Sequence, residues 1–85
     1  VDETQLIEEG NDAEELLQAP AFNRTVNTLA DHSIQTFLNS EPDDSEARDQ
    51  AHRHYRAVVD IVSTLKSSVS VRNEIRAKNE TKIEV

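Results

Sequence analysis

The sequence has no cysteine, no methionine and no tryptophan, a single glycine, two prolines and only three aromatic residues in 85 positions. Without cysteine there can be no disulfide, no thiolate metal site and no cysteine nucleophile. One glycine cannot build the glycine-rich loop that cradles a phosphate. So little glycine and proline leaves few tight turns, which disfavours a fold of many short strands. No apolar run approaches the roughly 18 to 20 residues of a membrane-spanning helix. The sequons Asn23-Arg24-Thr25 and Asn79-Glu80-Thr81 are expected to be incidental, since no secretory signal accompanies them.

A chain this short makes one domain at most, with a thin core that buries roughly 60 to 65 per cent of the unfolded surface. Apolar residues make up 35% of it, and eight of them are alanines. Association with a partner is a common remedy for so small a core. The net charge of −8 is unevenly spread. Residues 1–46 hold twelve acids and one base, Arg24, whereas residues 47–85 hold five acids and eight bases. Such a chain can attract its own other half or neighbouring copies. Its overall acidity makes nucleic acid an unfavourable partner, because phosphate binding needs a basic surface.

Residues 1–11, "VDETQLIEEGN", read as an acidic flexible arm with at most a helical turn before Gly10, and with Leu6 and Ile7 as its only anchors. "NDAEELLQAP" reads as a short helix capped by Asn11 or Asp12. Glu14 and Glu15 would lie near the positive end of its dipole. Pro20 disfavours helical geometry at Ala19 and suits the first turn of a second helix. That helix is expected to run from Pro20 or Ala21 to about Leu38, because Phe22, Val26, Leu29, Ala30, Ile34, Phe37 and Leu38 recur at three- and four-residue steps.

A third helix opens in "PDDSEARDQ", where Asp43 followed by Glu46 suggests a capping box. Its strongest signal is the heptad-like seam Ala51, Tyr55, Val58, Val62, Leu65 and Val69. The seam would continue at Arg72 and Arg76 and turn polar there. If this helix reaches Asn79 it spans roughly 50 Å, about twice the second helix. The uncovered half, with Val69, Val71 and Ile75, would then need another chain. "KIEV" at the end alternates and could add as a strand to a partner.

The candidate sites for chemistry are weak. His52 and His54 stand two apart and so diverge on a helix, whereas a zinc-binding helix needs histidines at i and i+4. His32 could join them only if the hairpin brought it close. The acidic pairs Glu8-Glu9, Glu14-Glu15 and Asp43-Asp44 serve capping and solvation, since acid–base catalysis needs a concave site that perturbs a carboxylate. No enzyme activity, cofactor or metal is expected. The group Arg72, Arg76, Lys78 and Lys82 is the one basic patch. It is either a solvated helix end suited to the dipole or a contact for an acidic partner.

The segment "LLQAPAFNRTVNTLADHSIQTFLNSEPDDSEARDQAHRHYRAVVDIVSTL" resembles small helical accessory proteins of tailed bacteriophages. The matching positions are Leu16, Leu17, Pro20, Phe22, Ser40, Pro42, Asp44 and Arg48, across about 50 residues. The chain departs from that pattern in lacking a central tryptophan, with Phe37 nearby. The resemblance implies an accessory role near head and packaging functions, in the virion or the host cytoplasm, and no chemistry.

The expected fold is therefore all-α and oligomeric. A short N-terminal helix precedes an antiparallel helical hairpin whose C-terminal helix is long. The division is an arm at 1–11, a hairpin domain at 12–79 and a tail at 80–85. The expected function is a non-enzymatic protein–protein assembly element of a phage virion or head. Self-association and other virion proteins are its partners, with no membrane. Leu6, Ile7, Tyr55, Val58, Val62, Leu65, Val69, Arg72 and Arg76 are its candidate interface. The competing expectation is an acidic regulator that captures a basic partner protein by imitating nucleic acid.

Overall fold

A computed structural model describes residues 2–83, with side chains from Asp2 to Thr81. The described residues form three helices and no strand: α1 at Glu3–Gln18, α2 at Pro20–Asn39 and α3 at Ser45–Ile83. The expected all-α architecture holds. Residues 80–83 continue α3, so the alternating end of the sequence forms no strand as far as Ile83; residues 84 and 85 lie outside the described residues.

The start of α1 corrects the expectation of a flexible arm. Asp2 caps the helix by accepting from the Gln5 amide at 2.8 Å, which satisfies one of the orphan donors of the first turn. Asn11 and Asp12, expected to begin the helix, lie inside it. Gly10 does not interrupt the helix, although an interior glycine costs about 1 kcal/mol of helix propensity relative to alanine.

Between α1 and α2 the helix breaks at Ala19 alone, which is extended at φ −71° and ψ 123°. Pro20 is the cause, because its ring excludes helical geometry in the residue before it. It also lacks an amide proton, so carbonyls at the end of α1 lose a backbone donor. Asn23 supplies the substitute. Its side-chain amide donates to the Leu17 carbonyl at 2.8 Å and to the Ala19 carbonyl at 3.1 Å. The first sequon asparagine thus has a backbone-bridging role.

α2 ends at Ser40, whose hydroxyl donates to the Phe37 carbonyl at 2.7 Å. After a short turn, Asp44 caps α3 by accepting from the Ala47 amide at 3.0 Å. The cap is thus one residue later than the expected Asp43, and position N3 is Ala47 rather than Glu46. Arg48, four residues after Asp44, donates to the Pro42 carbonyl and ties the turn to the first helical turn. Arg56 and Asp60, four residues apart on α3, pair at 3.5 Å.

α1 and α2 follow one another along α3, both antiparallel to it. Glu3 and Glu14 reach Lys78 and Arg72 on the C-terminal half of α3, while Ser33 lies beside Ala51 on the N-terminal half. The result is one long hairpin, 64 × 24 × 20 Å, with one arm broken at Pro20. The expected overhang of α3 therefore does not exist. Val69, Val71 and Ile75 are half-buried, because α1 is long enough to cover them.

The core is as thin as the composition implies. Among the described residues Ala13 and Ala51 are the buried apolar side chains, at 4% and 3% exposure, and no large side chain is fully buried. The helices approach at small residues. A Cβ on Gly10 would overlap the Cβ of Arg72 and lie 2.9 Å from the Ser68 carbonyl oxygen. Backbones that close leave no room for a bulky layer between them.

Candidate functional site

The acidic half of the sequence and the basic end of α3 meet inside the chain. Arg72 lies on the seam one step beyond Val69, and it is the most deeply buried charged side chain among the described residues, at 3% exposure. Its guanidinium donates to Glu14 Oε2 at 2.7 Å and Asn11 Oδ1 at 3.0 Å, with further bonds to Asn73 Oδ1 at 3.0 and 3.2 Å. The planar fork of arginine suits such multiple acceptors, and a hydrogen-bonded carboxylate partner makes burial of its charge tolerable. The hydrogen bond from Arg72, reinforced by its charge, holds the Glu14 carboxyl below its ordinary value, and the same bond raises Arg72. Arg76 donates to Asn11 at 3.0 Å from an exposed position, and Lys78 approaches Glu3 at 4.0 Å. Arg72, Arg76 and Lys78 of the basic patch are therefore engaged by α1, and the Lys82 side chain lies outside the described ones. The expectation that Arg72 contacts a neighbour is corrected: its guanidinium is enclosed by α1.

The remaining candidate residues sort by the helix that covers them. Leu6 and Ile7 are half-buried on α1, packed in a helix rather than carried on an arm. Val58, Val62, Leu65 and Val69 are half-buried along the seam of α3. Tyr55 is different, at 39% exposure. It borders a recess that opens between α2 and α3 near the hairpin turn.

That recess has a volume of about 230 Å³ and is lined by Ser33, Ile34, Phe37, Leu38, Ala51, His52 and Tyr55. It exists because Ser33 and Ala51 are small and buried where the helices touch, so the larger side chains beside them diverge. Ile34, Phe37 and Leu38 stand at i, i+3 and i+4 and share one side of α2. They are 43%, 48% and 67% exposed. No Asp, Glu, Lys or Arg lines the recess, in a chain that is 31% charged. The sequence pattern identifies Ile34, Phe37 and Leu38 as apolar helix positions but does not say what covers them. Their exposure follows from the absence of a third helix beside them.

The histidines divide as their spacing requires. His52 lines the apolar recess, whereas His54 lines a smaller one on the other side of Ser33 and Ala51, with His32, Thr36 and Gln50. The hairpin thus does bring His32 towards His54. Among the described residues there is no group of three His, Cys, Asp or Glu side chains arranged to hold a metal ion. Among them, too, no helix is long and apolar enough to cross a membrane.

Gly10 and Asn11 are the positions that sequence reasoning undervalued. A small residue at Gly10 and another at Ala13, one helical turn apart, mark a face that another helix can approach closely. "DETQ" at residues 2–5 carries the N-cap signature of an aspartate followed three residues later by a glutamine. Compared with known protein families, with curated proteins and with solved structures, the chain matches none of them.

Proposed function

We propose that this chain is a non-enzymatic assembly element that works by covering, and being covered by, another protein surface. The observation that carries the reading is the exposure of large apolar side chains along an elongated hairpin: Leu16, Leu29, Ile34, Phe37, Leu38, Tyr55 and Ile61 are all 39% exposed or more. A helix whose apolar stripe is wider than one neighbour can cover is suited to a further helical partner. The small helical phage proteins that the segment from Leu16 to Leu65 resembles supply the setting: a virion or head-assembly accessory protein. The test is to tag the chain in the genome that encodes it and to follow it by sedimentation during particle production. Co-sedimentation with particles or assembly intermediates, and defective particles when the gene is deleted, is the expected result. Normal particles without it, and a protein found only in the slow fractions, would exclude the virion role.

A second reading, an acidic regulator of a basic protein, draws on the exposed acids Glu41, Asp43 and Glu46 around the turn. It requires competition with DNA for a basic target, lost on neutralising Asp43 and Glu46 together. Asp44 is left unaltered in that test because it caps α3.

A further inference from the structure

We infer that the partner on the apolar recess near the hairpin turn is a second copy of this chain, related by a two-fold axis that brings the Leu38 side chain of each copy into the recess of the other. The inference rests on the assembly reading and names its first partner.

Surface area carries the argument. The chain exposes 6532 Å², whereas a compact protein of 9.6 kDa is expected to expose about 5,100 Å². The excess is about 1,400 Å² per chain, and a standard stable interface removes about 800 Å² from each partner. Dimension agrees with area. The radius of gyration is 18.2 Å, against about 12 Å for a compact domain of this length. One hairpin is half of the usual two-layer solution for burying helix faces. Two hairpins packed face to face would give the four-helix cross-section of a bundle.

Charge decides where two copies can meet. Each carries a net charge of −8, so most approaches bring like charges together. No Asp, Glu, Lys or Arg lines the recess, His52 being its one titratable imidazole, and it holds four of the seven exposed large hydrophobic side chains, Ile34, Phe37, Leu38 and Tyr55. Leu38 is the most exposed of them, at 67%, and stands as a knob beside a hole of suitable chemistry. An isologous contact needs both on one surface, because each copy offers the same patch.

The test is mass by sedimentation or light scattering across a wide range of protein concentration, for the unaltered chain, Leu38→Glu and Gln35→Glu. Gln35 is exposed and lies two residues from buried Ser33, so it points away from α3. The unaltered chain and Gln35→Glu are expected at twice the monomer mass, with Leu38→Glu at the monomer mass and equally helical by circular dichroism. A monomer at every concentration would overturn the inference while leaving the assembly reading to a different protein. A dimer that persists in Leu38→Glu, or a larger oligomer, would overturn it too. If Leu38→Glu loses its helicity, Leu38→Cys replaces it. The chain has no other cysteine, so a short bis-maleimide linker should join two copies through Leu38→Cys and not through Gln35→Cys. Equal linking of the two would refute the contact.

Discussion

Gly10 and Arg72 depend on each other. An alanine at position 10 would gain about 1 kcal/mol of helix propensity. Its Cβ would, however, overlap the Cβ of Arg72 and crowd the Ser68 carbonyl, neither of which is the free end of a flexible side chain. Overpacking of this kind costs about 1 to 3 kcal/mol. Gly10→Ala should therefore lower stability by about 1 kcal/mol, where propensity alone would raise it; thermal unfolding followed by circular dichroism decides the sign. Glu14 supplies a pH dependence. Its carboxyl is held below the ordinary value of 4.5, first by the hydrogen bond from Arg72 and then by its charge. A lowered carboxylate contributes stability that is complete above the unfolded value and is lost as pH falls through the folded one. The melting-temperature gap between the unaltered chain and Glu14→Gln should be constant near neutrality and close as pH drops below 4.5. Glu14 is 44% exposed in its side chain, so added salt should narrow the gap as well.

The helices owe their limits to local chemistry, and most of that was legible. Pro20 announced the break at Ala19, and three- and four-residue spacing announced α2 and the seam of α3. The caps were harder to place, since aspartates adjoin: position 43 or 44 satisfies composition equally, and only the backbone path selects Asp44. Asp44→Ala should cost about 1 kcal/mol of stability, while Asp43→Ala should leave the unfolding midpoint nearly unchanged; equal effects would contradict this cap. Asn23→Ala should destabilise the junction of α1 and α2, because the Leu17 and Ala19 carbonyls lose their side-chain donor. Hydrogen exchange should then report faster opening of amides near Pro20 than at the hairpin turn. The sequence reads as an arm at the N-terminal turn of α1 because an acidic, core-poor stretch resembles a solvated tail. What orders it is the α3 surface, through Lys78, Arg72 and the close approach at Gly10.

For the molecule as a whole, the charge asymmetry between the halves of the sequence has an internal outlet, since acidic α1 lies on the basic end of α3. The association between copies proposed above would then be driven by apolar contact against like-charge repulsion, and salt should strengthen it by screening. Association through opposite charges would weaken with salt, so sedimentation at two ionic strengths separates the two. Under conditions that hold the chain monomeric, X-ray scattering should return a radius of gyration near 18.2 Å rather than the about 12 Å of a compact domain.

Composition, the single proline break within the helical region and the seam spacing by themselves determined that this is a helical hairpin with a thin core, because helix periods and helix ends are written in neighbouring residues. They also marked Arg72 as the point where the seam turns polar. Which side chains were left uncovered was decided only by the tertiary structure. The length of α1 half-buries Val69, Val71 and Ile75 and leaves Ile34, Phe37, Leu38 and Tyr55 without a cover. The reason is physical: an apolar position reads the same in sequence whether or not a helix lies against it, and that depends on contacts between residues about sixty positions apart.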